Sequence, residues 1–345
     1  MISNKRILIG FYQGLGDFVS AVPVMNQLLK QGNQLYIAAS APCQQLFELC
    51  RIRGEEVTLL DYRLFGSMSW CERWRFVSTL RKIKPDYMFV SPHADTEQAS
   101  WKIPLLLRWL KLIGWNQTTV IGADSERNAQ WLDQAVAIDR TLKLIEREWA
   151  LYTTAKSIDH DSQPDLDIFD KEHLNSVEID GCHLVIHPGA SRENKQWPVE
   201  HWANLAKILP QEIQITFIGL DQELMPIRKI VTESERVHFF VGPIVEAVKL
   251  IASASICITM DSGFSHIVAR LGVRHIALFG STAPERYGPG SDGVWLTNQP
   301  PFDCQPCYLK ICLWSDIRCM SGISPETVAE QVKRMITHER SKLTE

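Results

Sequence analysis

Short apolar runs alternate with longer stretches of helical spacing along most of this chain. Ile7–Phe11, Leu35–Ala39, Val57–Leu60, Tyr87–Val90 and Thr118–Ile121 read as buried strands. Between them, Phe18–Lys30, Pro42–Arg51, Trp70–Lys84 and, later, Leu142–Ala155 carry helical spacing, with Pro85 ending the third. Ser157–Ser176 is polar and acid-rich and contains Pro164, the composition of a linker. The alternation then restarts. His183–Ile186, Ile213–Ile218, Val237–Phe240, Ala254–Ile258 and His275–Phe279 read as strands. Trp197–Leu209, Leu224–Thr232, Val245–Ala252, Ile267–Leu271 and Ser324–Thr337 read as helices. Continuous apolar strands separated by helices predict parallel sheets covered on both faces. The expected organisation is α/β, two Rossmann-like doubly wound domains facing across a cleft. Residues 1–170 form the first and 171–323 the second. A C-terminal helix within 324–345 is expected to pack back on the N-terminal domain.

Ligands of doubly wound sheets bind outside the carboxyl ends of the strands. The turns Gly14–Asp17, His187–Lys195, Gly219–Glu223 and Asp261–His266 all follow predicted strands. The fourth is the most suggestive. Thr259-Met260-Asp261-Ser262-Gly263-Phe264-Ser265-His266 runs from strand into helix, and Ser262 and Gly263 are small enough for a ligand to approach the backbone. The first N–H groups of a helix have no intrahelical acceptor and carry partial positive charge, which suits a phosphate. The competing reading is that Asp261 or Ser262 simply caps that helix.

Composition narrows the classes. The 345 residues are 45% hydrophobic and 22% charged, with a net charge of −4, so the chain is globular and no nucleic-acid partner is expected. No apolar run approaches the ~20 residues of a membrane span. The N-terminus lacks the apolar core of a signal peptide, so a cytoplasmic location is expected. Trp101–Trp115 is apolar and basic, and reads either as a covering helix or as a membrane-surface helix. With Arg73, Arg75, Arg81 and Lys82 it supplies candidates for peripheral contact with the inner membrane face. The nine cysteines read first as thiols. Cys304, Cys307, Cys312 and Cys319 are crowded together, and four thiolates suit zinc or iron. Their spacing is unlike a pair of separated knuckles, so no metal site is assigned and any metal there is expected to be structural.

At this point the residues carry a family resemblance. Ile7-Leu8-Ile9, Gly14-Leu15-Gly16-Asp17 and Pro23 resemble the opening of family 9 glycosyltransferases, the ADP-heptose:lipopolysaccharide heptosyltransferases and their relatives. His187-Pro188-Gly189-Ala190, Lys195-Gln196-Trp197-Pro198 and Trp202 continue it, as do Asp261–His266 and Leu278-Phe279-Gly280-Ser281-Thr282. The cysteine cluster and Ile323-Ser324-Pro325 are similar to tails in this family. The resemblance implies a GT-B fold with the acceptor held by the first domain and the nucleotide sugar by the second. It implies inverting transfer of a sugar, heptose from ADP-heptose, to a lipopolysaccharide core or related glycan acceptor, with no required cofactor. The alternatives are a GT-B transferase with another nucleotide sugar and a non-catalytic nucleotide-sugar-binding protein. A dinucleotide oxidoreductase is disfavoured, because Gly10–Asp17 contains no G-x-G-x-x-G run.

Sugar transfer needs a base for the acceptor hydroxyl and donors for the departing diphosphate. Asp17 is the expected base, with helix capping as its competing role. Lys195, Ser191 and the N–H groups of Ser262, Gly263 and Phe264 are expected on the diphosphate. Glu223 resembles the family's nucleoside-contacting acid; its competing role is that of a first-turn helix acid. Asp261 repels a diphosphate, so its carboxylate is assigned to the sugar hydroxyls or to fixing the turn. His266 either donates to phosphate or packs on the sheet. Arg192, His187 and Thr282 are further candidates for lining the cleft. The family's basic residue before Gly-Asp is replaced here, since Phe11-Tyr12-Gln13 stands at that place, which bears on the acceptor.

Overall fold

A computed structural model of the chain describes residues 1–12, 14–52, 56–61, 69–90, 112, 114–124, 129–139, 141–174, 181–288, 290, 293–314 and 316–342, without the side chains of 11, 70, 73, 76, 77 and 338–342. The chain divides into two compact units, Met1–Ile168 and Phe169–Glu345.

The first unit contains β1 (Arg6–Tyr12), α1 (Leu15–Lys30), β2 (Gln34–Ala39), α2 (Ala41–Phe47), β3 (Val57–Asp61), α3 (Trp70–Ile83), β4 (Tyr87–Val90), β5 (Thr119–Ala123), β6 (Gln134–Val136) and α4 (Leu144–Thr154). Its six strands form one sheet in the order β3-β2-β1-β4-β5-β6. Every pairing in it is parallel. The strands buried on both faces are the ones the apolar runs reveal: Ile7, Leu8 and Ile9 of β1 are fully buried. β6 escapes sequence reading because Gln134 and Ala135 are exposed and leave no apolar run. α1 starts earlier than its apolar spacing suggests, so Asp17 lies in the first helical turn rather than in a loop. α3 carries a capping box that spacing alone does not reveal. The Glu72 N–H donates to Ser69 Oγ at 3.3 Å and the Ser69 N–H to Glu72 Oε2 at 2.8 Å. Most of the Trp101–Trp115 segment lies outside the described residues. Trp115 itself is buried, and its indole N–H donates to Leu80 O at 3.1 Å.

The second unit contains β7 (Cys182–His187), α5 (Val199–Ile208), β8 (Ile213–Ile218), α6 (Asp221–Arg228), β9 (Val237–Phe240), α7 (Ile244–Ala252), β10 (Ile256–Met260), α8 (Gly263–Leu271), β11 (His275–Leu278), α9 (Pro284–Tyr287), β12 (Gly293–Leu296), α10 (Arg318–Ser321) and α11 (Pro325–Lys342). Its sheet is again six-stranded, in the order β12-β11-β10-β7-β8-β9, and every pairing is parallel. β12 and the short helices α9 and α10 were not legible, because so few residues carry no period. The C-terminal helix joins this unit's core. Val328, Ala329 and Val332 of α11 enter the second unit's own core beside Trp202, Leu205 and Phe217, and α11 packs on α5.

In each unit the strand order reverses about a central pair, β1 and β4 in the first, β7 and β10 in the second. Such switch points open a crevice at the carboxyl ends of the strands. Asp17 follows β1, while Lys195 follows β7 and Asp261 follows β10. The candidate residues therefore sit where the topology leaves room for a ligand.

Candidate active site

The second unit's site begins with the turn after β7. Lys195 ends a 3₁₀ turn, Glu193–Lys195, that is pinned on both sides. Before it, the buried Asn194 donates from Nδ2 to Leu309 O at 2.7 Å. After it, Trp197 is buried and donates from Nε1 to Ile323 O at 2.9 Å. Its ring meets Trp202 edge-on at 4.6 Å. A buried indole needs such a partner for its N–H, so the Trp197 anchor has a definite direction.

Lys195 Nζ lies 2.6 Å from Asp261 Oδ2, and the two side chains are only 13% and 8% exposed. The Thr282 hydroxyl donates to the same oxygen. Asp261 is itself fixed by its N–H, which donates to Leu278 O at 3.1 Å. A buried charge is tolerated when it is paired and hydrogen-bonded, and this carboxylate is both. The Asp261 side chain thus organises the turn and holds the lysine.

α8 starts directly behind Asp261. Ser262 occupies the capping position with extended backbone, but neither its side chain nor that of Asp261 caps the helix. The capping reading of this stretch is therefore not realised. The Ser265 N–H turns back to Ser262 O at 3.1 Å. The first N–H groups of α8 lack intrahelical acceptors by construction. Around them, the hydroxyls of Thr259, Ser262 and Ser281 are buried without a hydrogen-bond partner among the described residues. A buried hydroxyl left so costs about 1–3 kcal/mol, which marks this region as suited to a polar ligand.

The third feature is a stack. The His187 ring lies on Phe264 with centroids 3.9 Å apart and planes at 21°. Burial lowers the His187 pKa to about 3, so the imidazole is neutral at physiological pH. Its Nε2 is 4.0 Å from Glu223 Oε2, a contact of a neutral ring with a carboxylate rather than an ion pair. Glu223 also accepts from the Leu220 N–H at 2.8 Å, so its helix-acid role is realised. Its other oxygen lies against Gly189: a Cβ there would stand 2.2 Å from Glu223 Oε1. An alanine at 189 would have to displace that carboxylate.

Lys195, Glu223, Asp261, Ser262, Gly263 and Phe264 are thus linked by contacts or chain neighbours. Ser191 is exposed in the bend before the 3₁₀ turn, and His266 is half-buried in α8. Asp17 belongs to the first unit. Its Oδ2 is folded over Gly14, 3.1 Å from where a Cβ would stand. Its charge also reaches Cys43, whose thiol is pushed up to about 11, chiefly by burial. Asn194 and Leu309, and Thr282 as the second donor to Asp261, are partners that sequence reasoning missed; only the placement of Thr282 after a strand hinted at one.

The four clustered cysteines differ in burial: Cys304 is exposed, Cys307 and Cys312 are half-buried, and Cys319 is buried. Burial raises the Cys319 thiol to about 11, and the charges of Cys312, Cys307 and Cys304 add to this. Among the described residues no group of three or more His, Cys, Asp or Glu side chains is placed to hold a metal ion.

Comparison with known proteins bears on the family and the fold. The sequence model of glycosyltransferase family 9 (heptosyltransferase) matches residues 98–317. Lipopolysaccharide heptosyltransferase 1 of Pseudomonas aeruginosa is 25% identical over 186 residues, covering 48% of this chain and 52% of the relative. The chain thus spans about half the length of the curated relatives it matches. The crystal structure of a family 9 glycosyl transferase from Veillonella parvula superposes with a TM-score of 0.73 at 18% identity, over 97% of this chain and 98% of that one. E. coli heptosyltransferase WaaC with ADP gives a TM-score of 0.70 at 16% identity, over 96% and 99%. At these identities the superpositions establish the shared fold, which is GT-B.

Proposed function

The chain belongs to glycosyltransferase family 9, and from that premise we infer that it is an inverting glycosyltransferase moving heptose from ADP-heptose to a lipopolysaccharide core or related bacterial glycan. The observation that carries this is the Lys195–Asp261 pair directly before the free N–H groups of α8. A nucleoside diphosphate gains negative charge as its bond to the sugar breaks. A lysine already fixed in a buried setting, with helix N–H groups beside it, favours that state without rearranging. The solved relative that carries ADP lends support to adenosine diphosphate as the leaving group.

The acceptor hydroxyl attacks the anomeric carbon from the face opposite the diphosphate. A carbon–oxygen bond forms there as the bond to the diphosphate oxygen breaks, which inverts the centre. Asp17 takes the hydroxyl proton. Lys195, Ser191, His266 and the N–H groups of Ser262, Gly263 and Phe264 hold the diphosphate. Glu223 takes the ribose hydroxyls on the oxygen not used by Leu220. Asp261 has capacity left for a sugar hydroxyl while holding Lys195, since a carboxylate offers about four lone-pair sites. No step requires a metal; metal at the cysteine cluster would be structural, and metal analysis of reduced protein decides whether one binds.

No helix among the described residues is long and apolar enough to cross a membrane. A lipid-linked acceptor would still bring the enzyme to a membrane face. Trp74 is 76% exposed on α3, and Arg75, Arg81 and Lys82 are exposed with it, a composition suited to an anionic interface. Vesicle binding that charge reversal on α3 leaves unchanged would remove that contact.

A donor screen tests the function. Calorimetry with ADP, UDP and GDP is followed by turnover of the matching sugar nucleotides. Preferred binding of ADP and turnover of ADP-heptose are expected. Preference for UDP or GDP would assign another donor, and binding without turnover on any acceptor would make the chain a nucleotide-sugar-binding protein.

A further inference from the structure

Lys195 and Asp261 come from turns that follow different strands, β7 and β10, so something must hold their pairing in register. Two sets of contacts do so. The first is Thr282, which follows β11 and is only 5% exposed. Its hydroxyl donates to Asp261 Oδ2, the oxygen that also accepts Lys195. The torsion that turns a carboxylate is broad and soft, so Asp261 has little preference of its own for where Oδ2 points. A second donor on that oxygen fixes it. The second set is a strap, residues 302–314, that ties together the neighbours of both partners. Its Tyr308 N–H donates to Ser281 O at 2.8 Å, next to Thr282. Its Leu309 carbonyl accepts from Asn194 at 2.7 Å, next to Lys195. Gln305 adds a bond from Nε2 to Gly280 O at 3.1 Å. Consecutive strap residues therefore grip the two segments that must stay in register.

We propose that Thr282 is the positioning residue of the Lys195 ammonium, acting through the Asp261 carboxylate. This rests on the diphosphate role of Lys195 given above. Thr282 sets the direction of Oδ2, Oδ2 sets one N–H of Lys195, and the remaining ammonium N–H groups are thereby aimed at the departing diphosphate. The ground-state affinity for the nucleotide depends on many contacts. The barrier depends on where the lysine stands when charge develops, and small misplacements are costly.

The test compares Thr282→Val, which keeps shape and loses the donor, with Thr282→Ser, which keeps the donor. In the full chain, Thr282→Val is expected to lower kcat about 10-fold to 100-fold while the donor KM stays within about twofold. Thr282→Ser is expected to recover kcat to within about threefold of the wild type. A valine variant with unchanged kcat, or a serine variant as impaired as the valine one, overturns the proposal. A second readout does not depend on turnover. Nitrogen-15 resonances of the lysine ammonium groups, with Lys195 identified by Lys195→Arg, report its environment directly. The Lys195 signal is expected to shift or broaden in Thr282→Val and to stay near its wild-type position in Thr282→Ser. An unmoved signal in Thr282→Val overturns the proposal. If the signal behaves as expected but no sugar nucleotide is turned over by the wild type, the positioning stands and the transferase reading fails.

Discussion

The two units are built on the same strand order, yet they hold their candidate residues differently. In the second unit Lys195, Asp261 and Thr282 form one buried chain of contacts, and His187, Phe264 and Glu223 form another. In the first unit Asp17 stands in the opening turn of α1, folded over Gly14 and half-buried. The difference suits the two tasks proposed for these residues. A leaving diphosphate is stabilised by charges fixed in advance, and fixing charges out of water requires partners for them. A base has to meet a hydroxyl that arrives and leaves, and the turn at the carboxyl end of a strand is where a substrate can approach.

The largest expected effect separates the two units cleanly. Asp17→Ala should lower kcat by about 10²–10⁴-fold and leave ADP affinity near wild type, as read by kinetics and calorimetry. Near-native turnover in a folded variant would remove the base assignment and the comparison with it. Next comes Lys195→Ala, which should reduce kcat/KM by about 10²–10³-fold. It also leaves Asp261 buried without its cation, a loss on the order of 3–5 kcal/mol in denaturant stability. Comparable losses are expected from truncating either member of the pair.

Acidification should sharpen the contrast further. Burial lowers the pKa of His183 to about 4 and of His187 to about 3, both from 6.5. Their folded values lie below the unfolded one, so the unfolded chain binds more protons between them. The stability these neutral rings represent is complete above about pH 6.5 and is lost as the pH falls from there toward 4 and 3. At pH 5 the loss is on the order of 2 kcal/mol per histidine. His160, the histidine described in the first unit, is 88% exposed and carries no comparable burial. Hydrogen-exchange protection should therefore fall in β8 and β10 before it falls in β1 and β2 between pH 7 and pH 5. Equal losses in both units would contradict the assignment. The smallest expected effect is that of Gly189→Ala, which must displace the Glu223 carboxylate. It should weaken ADP binding about 10-fold with the fold retained, and unchanged affinity would take Glu223 off the nucleoside.

Much of this was legible because buried parallel strands are written as continuous apolar runs. Tyr87–Val90 matches its expected bounds to the residue for that reason. Strands with exposed residues, such as β6 and β12, left no such trace. Apolar spacing marks a helix start late wherever the first turn is polar or glycine-rich, which is why Asp17 reads as a turn residue. The site's strand-end turns were visible as small and charged residues after apolar runs. Their mutual contacts were not. Nothing in the spacing of Lys195, Asp261 and Thr282 says that three separate turns converge on one carboxylate oxygen, because that depends on how adjacent strands pair. The packing of the C-terminal helix on α5 was not legible for the same reason: an amphipathic face reveals that it is buried but not against what.

The central claim is that the second unit binds the nucleotide through a lysine held in place by Asp261. Titration of ADP into the wild type, Lys195→Ala and Asp17→Ala, each checked for folding, tests it most directly. At least a roughly 10-fold loss of affinity is expected in Lys195→Ala and a change within about twofold in Asp17→Ala. Full affinity in Lys195→Ala, or an equal loss in both variants, would contradict it.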